Sequence, residues 1–262
     1  MIKQNIHIED ICFAYESELI LKHMSMDINP GSICFIMGNN GSGKTTLLKT
    51  ILGFLIPQQG TVEIAGKKVS DIDKPAMSRL VSYVPQAIHL NTDFSVIDYI
   101  SLGRTPHIGM FNKLSDEDYQ IIERVSSLLE VDEIYDVPFN KLSGGQKQMV
   151  AVARSLVQDT PVIIMDEPMS ALDIGKQVEL LQVLRSLARN GKTIILTTHN
   201  PNHALVLESN ACFLKQGKII AFGKSSDIIH DDLLHEIYGR HVTLDCGEKG
   251  AAIMFDLDKE NS

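Results

Sequence analysis

A glycine-rich segment able to bind phosphate occupies residues 38–46, with the sequence Gly-Asn-Asn-Gly-Ser-Gly-Lys-Thr-Thr. It follows an apolar run, residues 33–37, and precedes a helix-like run, residues 47–52. Glycines let the backbone turn tightly so that its N–H groups approach phosphate oxygens, and a helix start adds partial positive charge. Lys44 can contact the β- and γ-phosphates, and the Thr45 hydroxyl can ligate Mg²⁺. This P-loop pattern predicts nucleotide binding and not an ordinary glycine turn.

Two adjacent carboxylates, Asp166 and Glu167, follow the fully apolar run 162–165. Such a run is typical of a buried strand in a parallel sheet, and α/β sheets bind ligands at the C-terminal ends of their strands. Asp166 can hold Mg²⁺ through its shell, and Glu167 is a natural general base for an attacking water. An Asp-Glu pair after a strand is by itself only a loop start. Together with the P-loop it favours the catalytic interpretation.

Three further polar signals are weaker when each is taken alone. Gln86 follows the strand-like run 81–84 and can orient water or complete a Mg²⁺ shell, although a glutamine there is otherwise a turn residue. His199 follows the apolar run 193–197 and can donate to a γ-phosphate, although a lone histidine is more often structural. Residues 142–146, Leu-Ser-Gly-Gly-Gln, open a helix and predict either a second anion site or a simple helix cap.

An α/β core must position these groups. Residues 2–36 alternate as strands and predict an antiparallel β portion ahead of the P-loop. Residues 95–129 have helical spacing with Ser115 as an N-cap, which indicates a helical subdomain inserted into the core. Tyr15 is predicted to be a half-buried strand aromatic unless the fold brings it to an adenine. The other expected elements are a P-loop helix (47–53), a strand (61–65), a turn (66–68), helices (77–80 and 176–190), a hairpin (211–214 and 218–222), helices (226–229 and 231–238) and a final strand pair (242–245 and 252–257).

The composition excludes several classes of protein. The net charge of −9 argues against a general nucleic-acid binder. Three of the four cysteines lie in apolar stretches without metal-ligand spacing, which predicts buried reduced thiols and a cytoplasmic protein. The N-terminus has no signal pattern, and no apolar run approaches the ~20 residues that span a bilayer. We therefore expect any membrane spans to come from other chains.

Five features stand in one order along the chain: residues 38–46, Gln86, residues 142–146, residues 162–167 and His199. This arrangement resembles the nucleotide-binding subunit of ABC transporters across almost the whole chain, and Leu-Ser-Gly-Gly-Gln is similar to the signature motif of that family. The resemblance implies the P-loop NTPase fold of ABC ATPases, with a mostly parallel core sheet, as one domain over 1–262. It also implies a helical subdomain at about 87–158 and a C-terminal extension at about 224–262.

The resemblance further implies a role for each matching residue. Tyr15 would stack on adenine, Gln86 would be the Q-loop glutamine, and His199 would be the switch histidine. Signature residues would contact the γ-phosphate of ATP held by another subunit, and Asp173 would belong to the D-loop. The residues expected to bind ATP are Tyr15, Gly38, Asn39, Asn40, Gly41, Ser42, Gly43, Lys44, Thr45, Thr46, Ser143, Gly144, Gly145, Gln146 and Asp173; those expected in catalysis are Lys44, Gln86, Glu167 and His199; those expected to bind Mg²⁺ are Thr45, Gln86 and Asp166.

The partners implied by the resemblance are a second copy of the chain, an integral membrane permease and, indirectly, a substrate-binding protein, with no nucleic acid. The protein would lie peripherally on the cytoplasmic face of the membrane, and residues around 93–110 would receive a cytoplasmic helix of the permease. Residues 102–107 and 236–239 look like those of importers for iron-siderophore, haem and cobalamin. Residues 111–119 and 197–202 also look similar to the molybdate and tungstate branch of that importer type.

Departures from the family pattern are small. Asn39 stands where many members have proline, and Met169 stands where threonine is common. The alternatives are an ABC ATPase acting on nucleic acid or the ribosome without transport, and a nucleotide-binding module that does not hydrolyse ATP. The first usually carries a long coiled coil or tandem cassettes, which this chain lacks, and intact Glu167 and His199 argue against the second.

Overall fold

A computed structural model describes residues 5–87, 93–108, 113–247 and 250–256 of the chain. Within these ranges the strands are β1 (Ile6–Tyr15), β2 (Glu18–Ile28), β3 (Ile33–Met37), β4 (Gln59–Ile64), β5 (Lys67–Lys68), β6 (Val81–Val84), β7 (Val162–Met165), β8 (Thr193–Thr197), β9 (Asn210–Lys215), β10 (Lys218–Lys224), β11 (Val242–Gly247) and β12 (Gly250–Phe255). The helices are α1 (Lys44–Ile51), α2 (Lys74–Leu80), α3 (Val96–Ser101), α4 (Asp116–Leu128), α5 (Gly144–Val157), α6 (Ile174–Arg189), α7 (Asn202–Leu207), α8 (Ser225–Ile228) and α9 (Asp231–Tyr238). The chain divides into a first unit, residues 1–71 and 195–262, and a second unit, residues 72–194.

The first unit begins with an antiparallel sheet in the order β2, β1, β4, β5. Ile6 pairs with Ile28 of β2 on one side and with Ile64 of β4 on the other. These three isoleucines are essentially inaccessible to solvent, as the alternation of apolar residues predicts. The structure thus confirms the antiparallel portion ahead of the P-loop.

A second sheet in the first unit is built around β3, all of whose residues are buried. It has β9 on one side, in parallel register with Met37 opposite Phe213, and β8 on the other. The last three residues of β8 belong to this unit. A hairpin joins β9 to β10 through Gln216 and Gly217, which both have positive φ. The predicted hairpin and the buried P-loop strand are therefore confirmed.

The second unit contains β6 and β7, which run parallel with Val84 opposite Met165. Helix α5 packs on β6, and α3 and α4 pack on α5. Capping boxes at Ser95 and Ser115 begin α3 and α4, so the predicted N-cap at Ser115 is confirmed. In each box the serine hydroxyl accepts the N–H three residues on, which satisfies an otherwise unpaired donor of the first turn.

Several predicted boundaries were wrong. Helix α1 begins at Lys44 and not at residue 47, because Gly43 reaches the left-handed conformation and serves as its N-cap. Lys67 and Lys68, predicted as a turn, form a short strand against Glu63 and Ile64. Helix α7 follows β8 without having been predicted. The final strand pair is confirmed over the described residues, and Leu257 lies outside them.

Surface and redox features also follow from the packing. Cys12, Cys34 and Cys212 are buried free thiols, as predicted, whereas Cys246 is exposed. Burial raises the pKa of Cys34 to about 12. Among the described residues no helix is both long and apolar enough to cross a membrane.

Candidate active site

The phosphate loop (residues 38–46) joins β3 to α1 in the first unit. Gly38 has φ +145°, and a Cβ there would lie 2.2 Å from the carbonyl oxygen of Leu214. Gly43 has φ +103° and caps α1 without any side-chain hydrogen bond. L-residues rarely adopt these conformations, so the path of the loop requires glycine at both positions. A helix start that no side chain caps is suited to an anion.

Lys44 is buried at the loop. Its Nζ donates to the carbonyl oxygens of Gly38 at 2.9 Å and Asn39 at 3.2 Å, and the residue is only 6% exposed. The buried Ser42 Oγ has no hydrogen-bond partner within the part of the chain that the structure describes. A buried lysine beside a buried hydroxyl without a partner suits a phosphate ligand, because a buried hydroxyl that makes no hydrogen bond is costly.

Tyr15 ends β1, in the hairpin that backs onto the phosphate loop. The residue is 45% exposed, and its ring meets the Phe13 ring edge-on, with centroids 4.9 Å apart. Strand β2, which pairs with β1, contacts the loop at Gly43. A Cβ on Gly43 would lie 3.1 Å from Leu21 Cδ2 and 3.5 Å from the carbonyl oxygen of Ile20, both in β2. The fold therefore brings the hairpin that carries Tyr15 against the loop and leaves the aromatic ring accessible.

His199 lies in the loop after β8 and is exposed. The preceding residue, Thr198, donates its N–H to the carbonyl oxygen of Ile36 in β3 at 3.1 Å. Thr198 Oγ1 lies 3.0 Å from Nδ1 of the buried His203 and accepts the N–H of Asn200 at 3.1 Å. Burial lowers the pKa of His203. His199 is thus held at the end of the strand beside β3, which itself leads into the phosphate loop.

In the second unit the structure joins two predicted residues that lie far apart in sequence. Gln86 Nε2 donates to Glu167 Oε2 at 3.0 Å. They meet because β6 and β7 run parallel in register, so residues that follow these strands emerge at the same edge. Glu167 has φ +50°, a conformation that costs a non-glycine residue about 1–2 kcal/mol. Ser170 holds that backbone by donating its Oγ–H to the carbonyl oxygen of Glu167 at 3.0 Å.

Asp166 is 1% exposed, and its N–H donates to the carbonyl oxygen of Val84 at 2.9 Å. Burial, and then the negative charge of Asp166, raises the pKa of Tyr83 to about 12. A buried carboxylate at the end of β7 is an oxygen ligand of the kind that Mg²⁺ prefers. No cluster of three or more His, Cys, Asp or Glu side chains suited to a metal occurs among the described residues.

The signature segment begins α5 in the second unit. Ser143 Oγ accepts the N–H of Gln146 at 3.2 Å, and Gln146 Oε1 accepts the N–H of Ser143 at 2.9 Å. A Cβ at Gly145 would lie 3.1 Å from the carbonyl oxygen of Ala171, so the glycines pack against the loop that follows β7. Ser143 and Gly144 are exposed. The segment is therefore a helix cap whose polar start remains accessible to a ligand.

Asp173 begins α6, and its Oδ1 accepts the N–H of Lys176 at 2.9 Å. As with the signature serine, the observed contact is an N-cap. Sequence reasoning missed the hydrogen bonds that link Thr198, Asn200 and His203. The run of small polar residues with a proline, Thr-Thr-His-Asn-Pro-Asn at 197–202, was the available signal, since asparagine and threonine side chains stabilise turns and helix starts in this way.

Comparison with known proteins defines the class. Residues 21–170 match the ABC transporter family, and the chain belongs to that family. As a member of that family it is an ATPase that binds ATP.

Particular relatives and structures narrow the comparison. The chain is 31% identical over 255 residues to the iron(3+)-hydroxamate import ATP-binding protein FhuC of Bacillus subtilis, with 96% of this chain and 95% of that protein covered. It is 31% identical to the molybdate import ATP-binding protein MolC of Haemophilus influenzae, with 89% and 87% covered. Among solved structures, the chain is similar to a putative metal-chelate type ABC transporter in an inward-facing conformation. The TM-score is 0.81 at 28% sequence identity, and 97% of this chain and 96% of that chain are covered. It is also similar to a dimeric bacterial ABC transporter cassette, with a TM-score of 0.76 at 28% sequence identity; 84% of this chain and 98% of that chain are covered.

Proposed function

We propose that this chain is the ATP-hydrolysing subunit of an importer, acting as a pair of identical copies beneath a membrane permease. The observation that carries the proposal is the 3.0 Å hydrogen bond from Gln86 to Glu167 at the ends of two parallel strands. It joins a carboxylate able to accept a proton from water to an amide able to orient that water. ATP hydrolysis also requires a group that binds the phosphates, and the glycine loop with Lys44 is proposed for that role.

In this proposal the chain's own residues divide the work. Lys44 stabilises charge on the β- and γ-phosphates, Tyr15 stacks on the adenine, and Glu167 takes a proton from the attacking water. Gln86 orients that water, and His199 donates to the γ-phosphate. The other contacts to ATP come from Gly38, Asn39, Asn40, Gly41, Ser42, Gly43, Thr45 and Thr46, with Asn39 contributing through its main chain only.

Mg²⁺ fits the residues proposed for it. The Thr45 hydroxyl, the Gln86 amide and the buried Asp166 carboxylate all offer oxygen ligands, and Mg²⁺ is commonly bound by one or two carboxylates together with substrate phosphates. When bound, the ion would neutralise charge that develops on the phosphates.

We infer that ATP lies between two copies, with the phosphate loop of one facing the signature segment of the other. One chain carries an uncapped helix start at Gly43 and an exposed polar helix start at Ser143, and each can face a phosphate. Ser143 to Gln146 and the D-loop residue Asp173 would complete the site of the partner copy. The resemblance to a dimeric cassette supports this arrangement.

The domain layout is part of the proposal. Helices α3, α4 and α5 would form the subdomain over about 87–158 that receives a cytoplasmic helix of the permease, and residues from about 224 onward would form the C-terminal extension. The protein would lie peripherally on the cytoplasmic face of the membrane, and a substrate-binding protein would deliver cargo to the permease.

We propose a metal chelate, such as an iron-siderophore, haem or cobalamin, as the cargo. The similarity to the iron(3+)-hydroxamate import protein and to the metal-chelate type transporter supports this class. A molybdate or tungstate oxyanion is the second candidate, because the molybdate import relative is equally identical. Reconstitution with the permease and binding protein in vesicles distinguishes them, since only the true cargo will be taken up when ATP is present.

Glu167→Gln tests the catalytic assignment. The amide is nearly isosteric and can still accept from Gln86, but it cannot take a proton from water, so kcat should fall about 10²- to 10⁴-fold while ATP binding persists. Glu208→Gln is the matched control, because Glu208 is an exposed glutamate with a similar φ of +49°. Turnover by the Glu167 variant at the rate of the control would reject Glu167 as the base.

A non-transport role predicts a different result. An ABC ATPase acting on nucleic acid or the ribosome would be stimulated by those partners and not by permease-containing vesicles. ATPase stimulation by RNA or DNA, with none from the permease, would overturn the importer assignment while leaving the ATPase intact.

A further inference from the structure

Helix α9 is firmly attached to the first unit. Its apolar side chains Leu233, Leu234 and Ile237 are at most 5% exposed. Lys215, at the end of β9, donates its Nζ to the carbonyl oxygen of Glu236 at 3.0 Å and to Glu236 Oε1 at 3.3 Å. Because β9 pairs with β3, the strand that leads into the phosphate loop, α9 is fastened to a strand directly beside that loop.

Asn39 connects α9 to the phosphate loop itself. Its Nδ2 donates to the carbonyl oxygen of Ile237, in the last turn of α9, at 2.6 Å. The main-chain carbonyl oxygen of Asn39 accepts from Lys44 Nζ at 3.2 Å. One residue therefore contacts the phosphate-binding lysine through its backbone and the C-terminal helix through its side chain. A proline at this position would have no side-chain donor for such a bond.

A second connection reaches the loop that holds His199. The N–H of Leu244 in β11 donates to Asp231 Oδ1 in α9 at 2.7 Å, which ties the terminal hairpin to the helix. From β12, the N–H of Ile253 donates to Asn202 Oδ1 at 2.7 Å. Asn202 in turn donates its N–H to Asn200 Oδ1 at 3.1 Å, and Asn200 neighbours His199. Hydrogen bonds thus run without interruption from the hairpin to the residue beside the histidine.

We propose that the C-terminal segment (residues 231–247 and 250–256) positions both ATP-contacting loops of its own unit, through Asn39 and Asn202 acting as positioning residues. The inference rests on the site proposed above, in which residues 38–46 and His199 contact ATP. By restraining the loops before ATP arrives, the segment reduces the ordering that binding requires. A change in this segment therefore changes ATP turnover although the segment does not touch the nucleotide.

Asn39→Ala in the full chain tests the first connection. One hydrogen bond contributes a factor of about two to ten, so KM for ATP should rise by that factor with a smaller change in kcat. Asn29→Ala, at an exposed asparagine of the turn before β3, is the matched control and should leave KM unchanged. An Asn39 variant with unchanged KM overturns this connection.

Lys215→Met, combined with Asn39→Ala, distinguishes the proposed connection from a general loss of stability. Loosening α9 should raise KM in the wild-type background but add little once Asn39 has been replaced, because both changes act on one connection. Simple multiplication of the two effects overturns the proposed path.

Asn202→Ala and Asn202→Asp test the second connection. Alanine removes the acceptor for the Ile253 N–H and should lower kcat about two- to tenfold. Aspartate retains an acceptor oxygen, so the Asn202→Asp variant should keep a kcat close to that of the wild type. An equal kcat for the two variants overturns the role of Asn202.

Lys44→Ala separates the two levels of the proposal. If that variant still binds and hydrolyses ATP normally, the phosphate site itself is wrong. If it fails while the Asn39 and Asn202 variants behave as wild type, only the positioning role is wrong.

Discussion

A buried ion pair in the second unit offers a sharp test of how the signature helix is held. Arg104 Nε donates to Asp118 Oδ1 at 2.7 Å, and an Arg104 terminal nitrogen donates to the carbonyl oxygen of Val157 at 2.8 Å. The pair thereby joins the 3₁₀ helix 102–107 and α4 to the end of α5, whose start carries the signature residues. Asp118 Oδ2 also accepts the N–H and hydroxyl of Ser115, at 2.9 and 2.7 Å. Arg104 and Asp118 are 6% and 8% exposed.

Asp118→Asn is the informative change. It removes the negative charge and leaves Arg104 buried without its counter-charge, which typically costs about 3–5 kcal/mol of unfolding free energy. Asp98→Asn is the matched control, because Asp98 forms the same capping box with Ser95 but is exposed, and its replacement should cost about 1 kcal/mol or less. Urea denaturation at neutral pH, followed by circular dichroism, measures both changes. Equal losses for the two variants would refute the reasoning.

The pH dependence provides an independent check. Burial by itself would raise the pKa of Asp118. Hydrogen bonds from Ser115 and from the Arg104 guanidinium, together with the positive charge of Arg104, outweigh it and lower this pKa from 3.8 to about 2. Because the pKa in the folded state lies below the ordinary value, the stability that ionised Asp118 contributes is complete above pH 3.8 and is lost as the pH falls towards 2. The difference between wild type and Asp118→Asn should therefore narrow below pH 4. A difference that stays constant down to pH 2 would contradict the assigned pKa.

Further predictions address the site and the thiols. Gly38→Ala should abolish ATP binding, because its Cβ would lie 2.2 Å from a backbone carbonyl oxygen; equilibrium dialysis with labelled ATP measures this, and normal affinity would contradict the observed loop path. Ser143→Ala should destabilise α5 by about 1 kcal/mol and reduce ATP-dependent dimerisation in light scattering, while ATP binding by one subunit persists; loss of binding by isolated monomers would contradict the two-copy site. Iodoacetamide at pH 8 should label Cys246 long before Cys34 and Cys212, because burial raises the pKa of both buried thiols; mass spectrometry with equal labelling of all three would exclude this.

The sequence was most informative where local pattern and chemistry coincide. The apolar run 33–37, the glycines after it and the run 162–165 predicted buried strands that end in polar groups, and the structure has strands at both places. Ser115 was recognisable as an N-cap because capping depends on neighbouring residues only. The start of α1 was missed, because a glycine in the left-handed conformation looks like an ordinary loop residue in sequence.

Contacts between distant residues could not be predicted in this way. Gln86 and Glu167 are each plausible turn residues, and only the parallel register of β6 and β7 brings their side chains within 3.0 Å. The bond from Asn39 to Ile237 likewise joins positions at opposite ends of the chain, and no local pattern encodes that pairing.

The sequence by itself determined which groups can do chemistry: a lysine after a glycine loop, adjacent carboxylates after an apolar strand, and a serine that begins a helix. These depend on residue type and short spacing, which backbone conformation translates directly into local structure. Tertiary structure decided which distant groups meet, and it showed that a C-terminal segment for which the sequence indicated no chemistry is hydrogen-bonded to the phosphate loop. The reason is physical: strand pairing and core packing act between residues that sequence spacing does not relate.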